Sequence, residues 1–184
     1  MNHTILVLIG KQGLYKTTFF EKLLPPELYR YFYVKTNSHQ MNKDERLTLS
    51  ESALICLEEL DVLTYNELNQ IKALVTVPNI KERPAYGRNK ELRHHLATFC
   101  GTGNNKNFLI DDTGDRRWLN FEALSILDPH THPLPYEGLY AQALALFETG
   151  FKYWFDEEEI GELHEHNRLS LIHISEPTRL LSIS

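Results

Sequence analysis

The sequence has few cysteines and no long apolar run. Its two cysteines, Cys56 and Cys100, lie in separate apolar runs and lack any C-x-x-C spacing, so we expect small buried side chains in a reducing cytoplasm. No apolar stretch approaches the roughly 20 residues that cross a bilayer. The run from Ile5 to Ile9 is too short for a signal peptide. The sequence therefore predicts a cytoplasmic protein without a membrane span.

Basic residues are fewer than acidic ones, with 19 lysines and arginines against 25 aspartates and glutamates. The formal net charge is −6 over 184 residues, which disfavours a protein that coats nucleic acid through one broad basic face. It leaves open a protein that touches nucleic acid through a few loops. With 42% hydrophobic and 24% charged residues, the composition is that of one globular domain.

The histidines lack the neighbours of a metal site. No cysteine or carboxylate stands at a recognisable ligand spacing from any of the three pairs, which are His94 and His95, His130 and His132, and His164 and His166. We therefore expect surface histidines and no structural metal.

Apolar runs and helical segments alternate along the chain. Strands are predicted at residues 5–9, 29–34, 53–57, 95–100 and 118–121, and helices at residues 16–24, 42–49, from Thr64 onward, and at 135–149. Thr64 and Glu67 form a capping box, and the segment 135–149 has an amphipathic pattern. The first strand is continuously apolar, as in strands buried on both faces of a parallel sheet. The alternation predicts a three-layer α/β fold with a mostly parallel sheet.

Both ends of the chain depart from this pattern. Residues 169–184 have neither helical nor strand periodicity that continues the acidic segment before them, and residues 169–179 resemble the translation of a transposase-type sequencing adapter. We therefore predict one domain over residues 1–168 and a non-native tail over residues 169–184. The first strand begins near residue 4, so we also expect truncation at the N-terminus.

A glycine-rich loop follows the first strand. Residues 10–17 read GKQGLYKT and lie between a strand and a helix, the context of a Walker A loop. Lys16 would contact the β- and γ-phosphates of ATP, and the Thr17 hydroxyl would bind Mg²⁺. The expected nucleotide contacts are Gly10, Gln12, Gly13, Leu14, Tyr15, Lys16, Thr17 and Thr18.

Tyr15 departs from the Walker A pattern, which has glycine at this position. Glycine permits dihedral angles that tyrosine adopts only with strain. Tyr15 could impose that strain, or Gly13 could make the sharp turn instead. The remaining alternative is a strand, turn and helix with an incidental Gly-Lys pattern.

Polar residues follow two later strands. Glu58 and Glu59 end the run ALICLEE, and Asn104 follows the run LATFCGTG. Ligands of open α/β sheets bind at the carboxyl ends of the strands. Glu58 would hold Mg²⁺ through water, Glu59 would deprotonate the attacking water, and Asn104 would position that water. A solvated acidic turn and a simple asparagine turn are the alternatives.

Two further motifs stand beside these elements, RPAYGR at residues 83–88 and FLIDDTGDRRW at residues 108–118. Together with the loop, the paired acids and GTGN at residues 101–104, they make the chain resemble a superfamily 3 helicase. More closely, it resembles the ATPase domain of the virulence-associated protein E family, which is found in replication proteins of phages and mobile elements. The resemblance covers roughly residues 4 to 122.

The resemblance implies an ASCE-type P-loop ATPase that uses ATP and Mg²⁺, assembles into a ring and threads single-stranded or forked DNA. A fused primase is common in that family, although no primase motif lies in this chain. The segment after the paired acids would contact DNA, here through Lys81, Arg83, Arg88, Lys90 and Arg93. A solvated loop is the alternative.

The resemblance also implies an arginine finger at Arg116 or Arg117 that reaches a neighbouring subunit's γ-phosphate. A salt bridge to a nearby aspartate is the alternative.

Two other functions stay open. A small-molecule or nucleotide kinase would share the loop, but a kinase has no need of a water-activating second acid. A nucleotide-binding module without turnover would result if Tyr15 disables the loop.

Overall fold

The computed structural model describes residues 3–36, 42–83, 87–105 and 117–175. Five strands form one parallel sheet in the order β2-β3-β6-β1-β7, and two form an antiparallel hairpin, β4-β5. The strands are β1 Ile5–Ile9, β2 Phe32–Lys35, β3 Leu54–Leu57, β4 Asn79–Glu82, β5 Glu91–His94, β6 Thr98–Gly103 and β7 Trp118–Glu122.

Helices pack on both faces of the sheet. They are α1 Lys16–Glu21, α2 Lys43–Glu51, α3 Tyr65–Val75, α4 Tyr136–Glu148 and α5 Glu157–Ser175, with 3₁₀ turns at Pro26–Tyr31 and Leu60–Val62. Alternate residues of β1 enter two different cores. Ile5, Val7 and Ile9 pack in the core that includes residues of α2 and α3. Leu6 and Leu8 pack in the core around Phe20 of α1.

The predicted three-layer α/β fold is confirmed. Strand β6 lies between β1, which leads into the glycine-rich loop, and β3, which leads into the paired acids. This insertion makes β6 the neighbour of both strands that lead into the motifs. It brings the carboxyl ends of β1, β3 and β6 to one edge of the sheet, because parallel strands end on the same side.

Several predicted boundaries were wrong because tertiary contacts set them. Helix α1 ends at Glu21 rather than at residue 24, and β2 begins at Phe32 rather than at residue 29, because a 3₁₀ turn occupies Pro26–Tyr31. Strand β6 begins at Thr98 rather than at residue 95 and extends to Gly103. The preceding residues are held elsewhere, since the N–H groups of Leu96 and Ala97 both donate to the carbonyl of Leu49 in α2.

Two expectations about the C-terminal third also need correction. The segment predicted as an amphipathic helix does form α4, but none of its residues is buried, so it lacks the expected buried face. Residues after 168 were expected not to continue the helix of the acidic segment. The backbone does continue it, since α5 extends past the predicted domain boundary to Ser175. The non-native origin of residues 169–184 stays a prediction.

One histidine differs from the surface position that we expected. His95 is buried, and its Nδ1 lies 2.8 Å from the carbonyl oxygen of Val77. Burial lowers the pKa of this imidazole. Within the described ranges, no cluster of three histidine, cysteine or acidic side chains could hold a metal ion, and no helix is long and apolar enough to cross a membrane.

Candidate functional site

The glycine-rich loop folds around its own lysine. The loop joins β1 to α1, and Lys16 is the first residue of the helix. Its Nζ donates to the carbonyls of Gly10 at 2.7 Å and Lys11 at 2.8 Å. Burial lowers the pKa of this ammonium, and the negative charge of Asp61 acts in the opposite direction. The loop therefore holds a buried cation whose partners are mainly neutral carbonyls.

Tyr15 carries the loop into the helix with a left-handed backbone. Its φ is 58° and its ψ is 22°, while Gly13 has a φ of 82°. Both residues therefore use positive dihedral angles, and the tyrosine does so at a cost of about 1–2 kcal/mol. The Tyr15 side chain is 43% exposed. It lines the cleft described below without filling it, so the departure from glycine leaves room for a ligand.

Thr17 and Glu58 form the link between the loop and the paired acids. The Thr17 hydroxyl donates to Glu58 Oε1 at 2.6 Å. Glu58 directly follows β3, and its N–H donates to the carbonyl of Lys35 at the end of β2. A hydroxyl and a carboxylate in contact offer hard oxygen ligands, which Mg²⁺ prefers. These two side chains therefore fit the metal that accompanies ATP.

Glu59 begins the 3₁₀ turn that follows β3. It has a left-handed backbone with a φ of 55°, and its side chain is exposed and lines the same cleft as Thr17 and Glu58. A non-glycine residue in this conformation is uncommon and is often found at functional sites. The backbone turn separates the two adjacent acids, so that Glu58 bonds Thr17 while Glu59 faces solvent.

Asn104 directly follows β6 and lies beside the loop. Its Oδ1 lies 3.4 Å from Lys16 Nζ. Its backbone N–H donates to Asp61 Oδ1 at 2.9 Å, and Asn105 Nδ2 donates to Asp61 Oδ2 at 3.1 Å. Asp61 thus ties the end of β6 to the turn after Glu59. Sequence reasoning missed this residue, because a single aspartate in a short acidic turn carries no recognisable pattern.

These groups surround one cleft of about 340 Å³. The structure brings together the side chains that we expected at the phosphates, except that Gly10 stands at the base of the loop as a carbonyl partner of Lys16. The cleft is lined by Gln12, Gly13, Leu14, Tyr15, Lys16, Thr17, Thr18, Glu58, Glu59, Thr102, Gly103 and Asn104.

Of the two arginines proposed as a finger, Arg117 lies within the described residues. Arg116 and most of the motif at residues 108–118 lie outside the described residues. Arg117 directly precedes β7, and its carbonyl accepts from the N–H of Ile5 at 2.6 Å. Arg117 does not line the cleft. A role at another subunit's site stays a prediction.

The basic residues predicted to contact DNA lie on and around the β4-β5 hairpin, away from the cleft. Lys81, Arg83, Arg88 and Lys90 are exposed. Arg93 instead pairs with Glu51 at 2.8 Å and with Glu91 at 3.0 Å. The hairpin therefore presents four exposed cations, while the charge of Arg93 is already engaged within the protein.

Comparisons with known proteins agree with this architecture. A family model described as the virulence-associated protein E-like domain matches residues 2–170. Two solved apo structures of the NrS-1 C-terminal region are similar, with TM-scores of 0.51 and 0.50 and identities of 15% and 17%. Each covers 90% of this chain, which in turn spans about a third of their length, 35% and 34%. At such identities the likeness is one of fold. No curated protein matches this chain.

Proposed function

The chain belongs to the virulence-associated protein E-like domain family, and we propose that it binds and hydrolyses ATP as a DNA helicase or translocase domain in the replication of a phage or mobile element. The observation that carries the proposal is the 2.6 Å hydrogen bond from Thr17 to Glu58 beside the buried Lys16. A metal-binding hydroxyl, a metal-binding carboxylate and a phosphate-binding ammonium thus meet in one cleft.

The loop is prepared for a triphosphate. The Lys16 ammonium bonds two backbone carbonyls and Asn104, and phosphate oxygens would give this desolvated cation charge-assisted bonds instead. Thr17 and Glu58 would hold Mg²⁺, which when bound neutralises phosphate charge. Neighbouring backbone N–H groups in the loop would orient the remaining oxygens.

Glu59 and Asn104 are the proposed groups for hydrolysis. Glu59 is exposed at the cleft and has no hydrogen bond to Thr17, so its carboxylate is available to accept a proton from water. Asn104, held through its backbone by Asp61, would orient the same water with its side-chain amide. A kinase would need an acceptor pocket here in place of a water-activating acid.

DNA is the proposed polymer substrate. Lys81, Arg83, Arg88 and Lys90 are exposed around the hairpin of a chain whose net charge is −6. A local group of cations on such a chain would contact DNA phosphates and make binding salt-dependent. The proposal includes a ring of subunits and, in a longer protein, a primase.

An exposed apolar surface supports the self-association. Leu144 and Phe147 of α4, together with Phe151 and Trp154 after it, are each more than half exposed. Large apolar patches on a protein surface mark interaction sites. Sedimentation equilibrium of the full chain with a non-hydrolysable ATP analogue would show a multiple of the 21.5 kDa monomer if this proposal holds.

The nucleotide site is tested by two substitutions with separate expected results. We expect Lys16→Ala to abolish ATP binding, because it removes the cation that would face the phosphates. We expect Glu59→Gln to preserve binding while reducing hydrolysis by about 10²–10⁴, the usual contribution of a general base. ATP binding would be measured by calorimetry and hydrolysis by phosphate release with and without single-stranded DNA.

The controls are Glu157→Gln and Lys152→Ala, which remove a charge of each sign away from the cleft and should change neither quantity. Normal hydrolysis by Glu59→Gln would overturn its assignment as the base. Binding without turnover in the wild-type protein, even when assembled on DNA, would favour the nucleotide-binding module. ATP consumption that requires a small-molecule acceptor would favour a kinase.

A further inference from the structure

A second cleft lies next to the phosphate loop. Its volume is about 420 Å³, and it is bounded by α1 on one side and by the segment that follows β7 on the other. Sequence analysis assigned no role to this segment, residues 123–134. The lining is mainly apolar and includes Leu8, Phe19, Ile126, Leu127, Pro129 and Leu134.

The two clefts share their walls. Helix α1 supplies Thr17 and Thr18 to the phosphate cleft and Phe19 to the apolar one, and Lys22, which directly follows the helix, also lines the apolar cleft. On the other side, the Ala123 N–H donates to the carbonyl of Ile9 at 2.7 Å. The two clefts therefore border consecutive residues of the same segment, Thr18 and Phe19.

Gly10 makes this close approach of the two segments feasible. A Cβ atom at this position would lie 2.5 Å from the carbonyl oxygen of Ala123, a distance that a side chain cannot adopt. The first residue of the phosphate loop thus lies directly against the first residue of the segment that lines the apolar cleft. The backbone of the phosphate loop and the backbone of the second segment are therefore in close contact at this point.

The chemistry of the second cleft suits a flat heterocycle and not another phosphate. Lys22 is the cation in its lining, and its ammonium lies 4.2 Å from the centre of the Tyr29 ring and 3.6 Å from Glu21 Oε2. The charge is therefore engaged, and the stem of Lys22 is left to line the cleft. Ser125 and His132 add polar groups at an otherwise apolar surface, the composition of a small-molecule site.

We propose that this cleft binds the nucleobase of the nucleotide whose phosphates are held by residues 10–17. The proposal rests on the proposed function and adds the place where the base lies. The base would bury its ring faces against Phe19 and Leu127, and the ribose would pass beside Thr18 and Ala123. Affinity for ATP then has an apolar component that is separate from the contacts of Lys16.

The first experiment locates the base directly. The full chain is irradiated with 8-azido-ATP and Mg²⁺, and the modified residues are identified by mass spectrometry. Labelling should fall within residues 123–134 or on Phe19 or Lys22, and an excess of unlabelled ATP should suppress it. Specific labelling confined to any other part of the chain would overturn the proposal.

The second experiment separates the base from the phosphates. Leu127 is 71% exposed and lines the cleft, whereas Leu124 is 85% exposed and does not. We expect Leu127→Gln to weaken ATP binding about three- to tenfold and to leave binding of Mg²⁺-tripolyphosphate unchanged, because only ATP carries a base. Leu124→Gln should change neither affinity. Both substitutions are neutral and exposed, so charge and folding are held constant.

The outcomes distinguish the two proposals. If Leu127→Gln leaves ATP affinity unchanged or weakens both ligands equally, the cleft does not hold the base. If Lys16→Ala leaves both affinities unchanged, the phosphate site itself is wrong. Both proposals are supported if Lys16→Ala loses affinity for ATP and for tripolyphosphate while Leu127→Gln weakens the binding of ATP alone.

Discussion

At the scale of single residues, two residues that line the cleft beside the glycine-rich loop have a left-handed backbone. Tyr15 and Glu59 both have positive φ angles, both line the cleft, and each directly precedes a helix or a 3₁₀ turn. The Walker A pattern uses glycine where this chain has Tyr15. Tyr15 has the left-handed backbone that glycine adopts readily, and its side chain is 43% exposed and lines the cleft.

Replacing Tyr15 tests whether that conformation is strained. Tyr15→Gly removes the strain of the left-handed backbone, but glycine also loses more conformational entropy on folding. The two effects oppose each other, so we expect the free energy of unfolding to stay equal or rise by up to about 1 kcal/mol. Tyr15→Val should lower it by about 1–2 kcal/mol, because a β-branched side chain is disfavoured there. Urea unfolding measures both.

A helical tyrosine provides the control. Tyr65 is also exposed but begins α3 with ordinary helical geometry. Tyr65→Gly should therefore lower the free energy of unfolding by up to about 1 kcal/mol. Equal losses in Tyr15→Gly and Tyr65→Gly would show that Tyr15 is not strained.

The sequence allowed the meeting of residues at the cleft to be predicted where a motif follows the end of a strand. Lys16, Thr17, Glu58 and Asn104 follow strand ends in a parallel sheet, so their meeting follows from the topology. Asp61 could not be found in this way, because its importance lies in bonds to the backbone of Asn104 and the side chain of Asn105. Those partners are more than 40 residues away in sequence.

At the scale of elements, close packing of the 3₁₀ turn Leu60–Val62 on β6 positions Glu59 and Asp61. A Cβ at Gly101 would lie 2.5 Å from Leu60 Cδ1, and Leu60 is fully buried, so it has little space to move. The glycine therefore sets the distance between the turn that carries the acids and the strand that carries Asn104.

Gly101→Ala should lower the free energy of unfolding by about 1–3 kcal/mol through overpacking. Gly161, within α5, has open space around its added Cβ, and Gly161→Ala should instead raise stability by about 0.5–1 kcal/mol. Thermal or urea unfolding measures the pair. A loss of the same size at both positions would contradict the packing argument.

Helix α2 is joined to β2 by one carboxylate. Glu45 accepts from the Asn42 N–H at 2.8 Å as part of a capping box and from Lys35 Nζ at 3.0 Å. Partial burial acts to raise the pKa of Glu45, but these hydrogen bonds and the Lys35 charge outweigh it, and the pKa is lowered. The ionised carboxylate therefore stabilises the folded state.

Glu45→Gln should lower the free energy of unfolding by about 1–2 kcal/mol near neutral pH. Because the folded-state pKa is lowered, this contribution is present above the ordinary value of 4.5 and is lost as the pH falls through the folded value. Urea unfolding at several pH values should show the two proteins converge in acid. Glu51→Gln, which removes an exposed partner of Arg93, should change stability by less than about 0.5 kcal/mol.

Element boundaries were the part that the sequence predicted least well. The N–H groups of Leu96 and Ala97 are drawn to the carbonyl of Leu49, so the apolar run at residues 95–100 joins the sheet only from Thr98. The hairpin strands β4 and β5 were not assigned because their short charged sequences, NIKE and ELRH, have no strand periodicity. A contact distant in sequence decided the first case, and the pairing of two neighbouring segments decided the second.

At the scale of the whole molecule, charge is distributed unevenly. The chain has a net charge of −6, while Arg88 and Lys90 are exposed between β4 and β5. If these residues contact DNA phosphates, binding must involve release of counterions, and each contact adds to the salt dependence.

The double substitution Arg88→Ala and Lys90→Ala should reduce the slope of log affinity against log salt by about 1.4 for single-stranded DNA, since each contact contributes about 0.7. Fluorescence anisotropy with a labelled oligothymidine over a range of salt concentrations measures the slope. Removing Arg30 and Lys152, which lie elsewhere in the chain, should leave it unchanged. The same decrease in both double variants would assign the effect to net charge rather than to the hairpin.

The central place of β1 in the sheet has a consequence for synthesis on the ribosome. Among the strands of this sheet β1 is synthesised first, yet its two neighbours are β6, which begins at Thr98, and β7, which ends at Glu122. At about 5–20 residues per second, the segment Ile5–Ile9 waits on the order of 5–20 s for these partners to be made. A nascent chain that already contains Lys16, Glu58 and Glu59 thus has no assembled cleft. The proposed nucleotide binding would begin only once β6 and β7 have been translated, and until then the apolar β1 is accessible to chaperones.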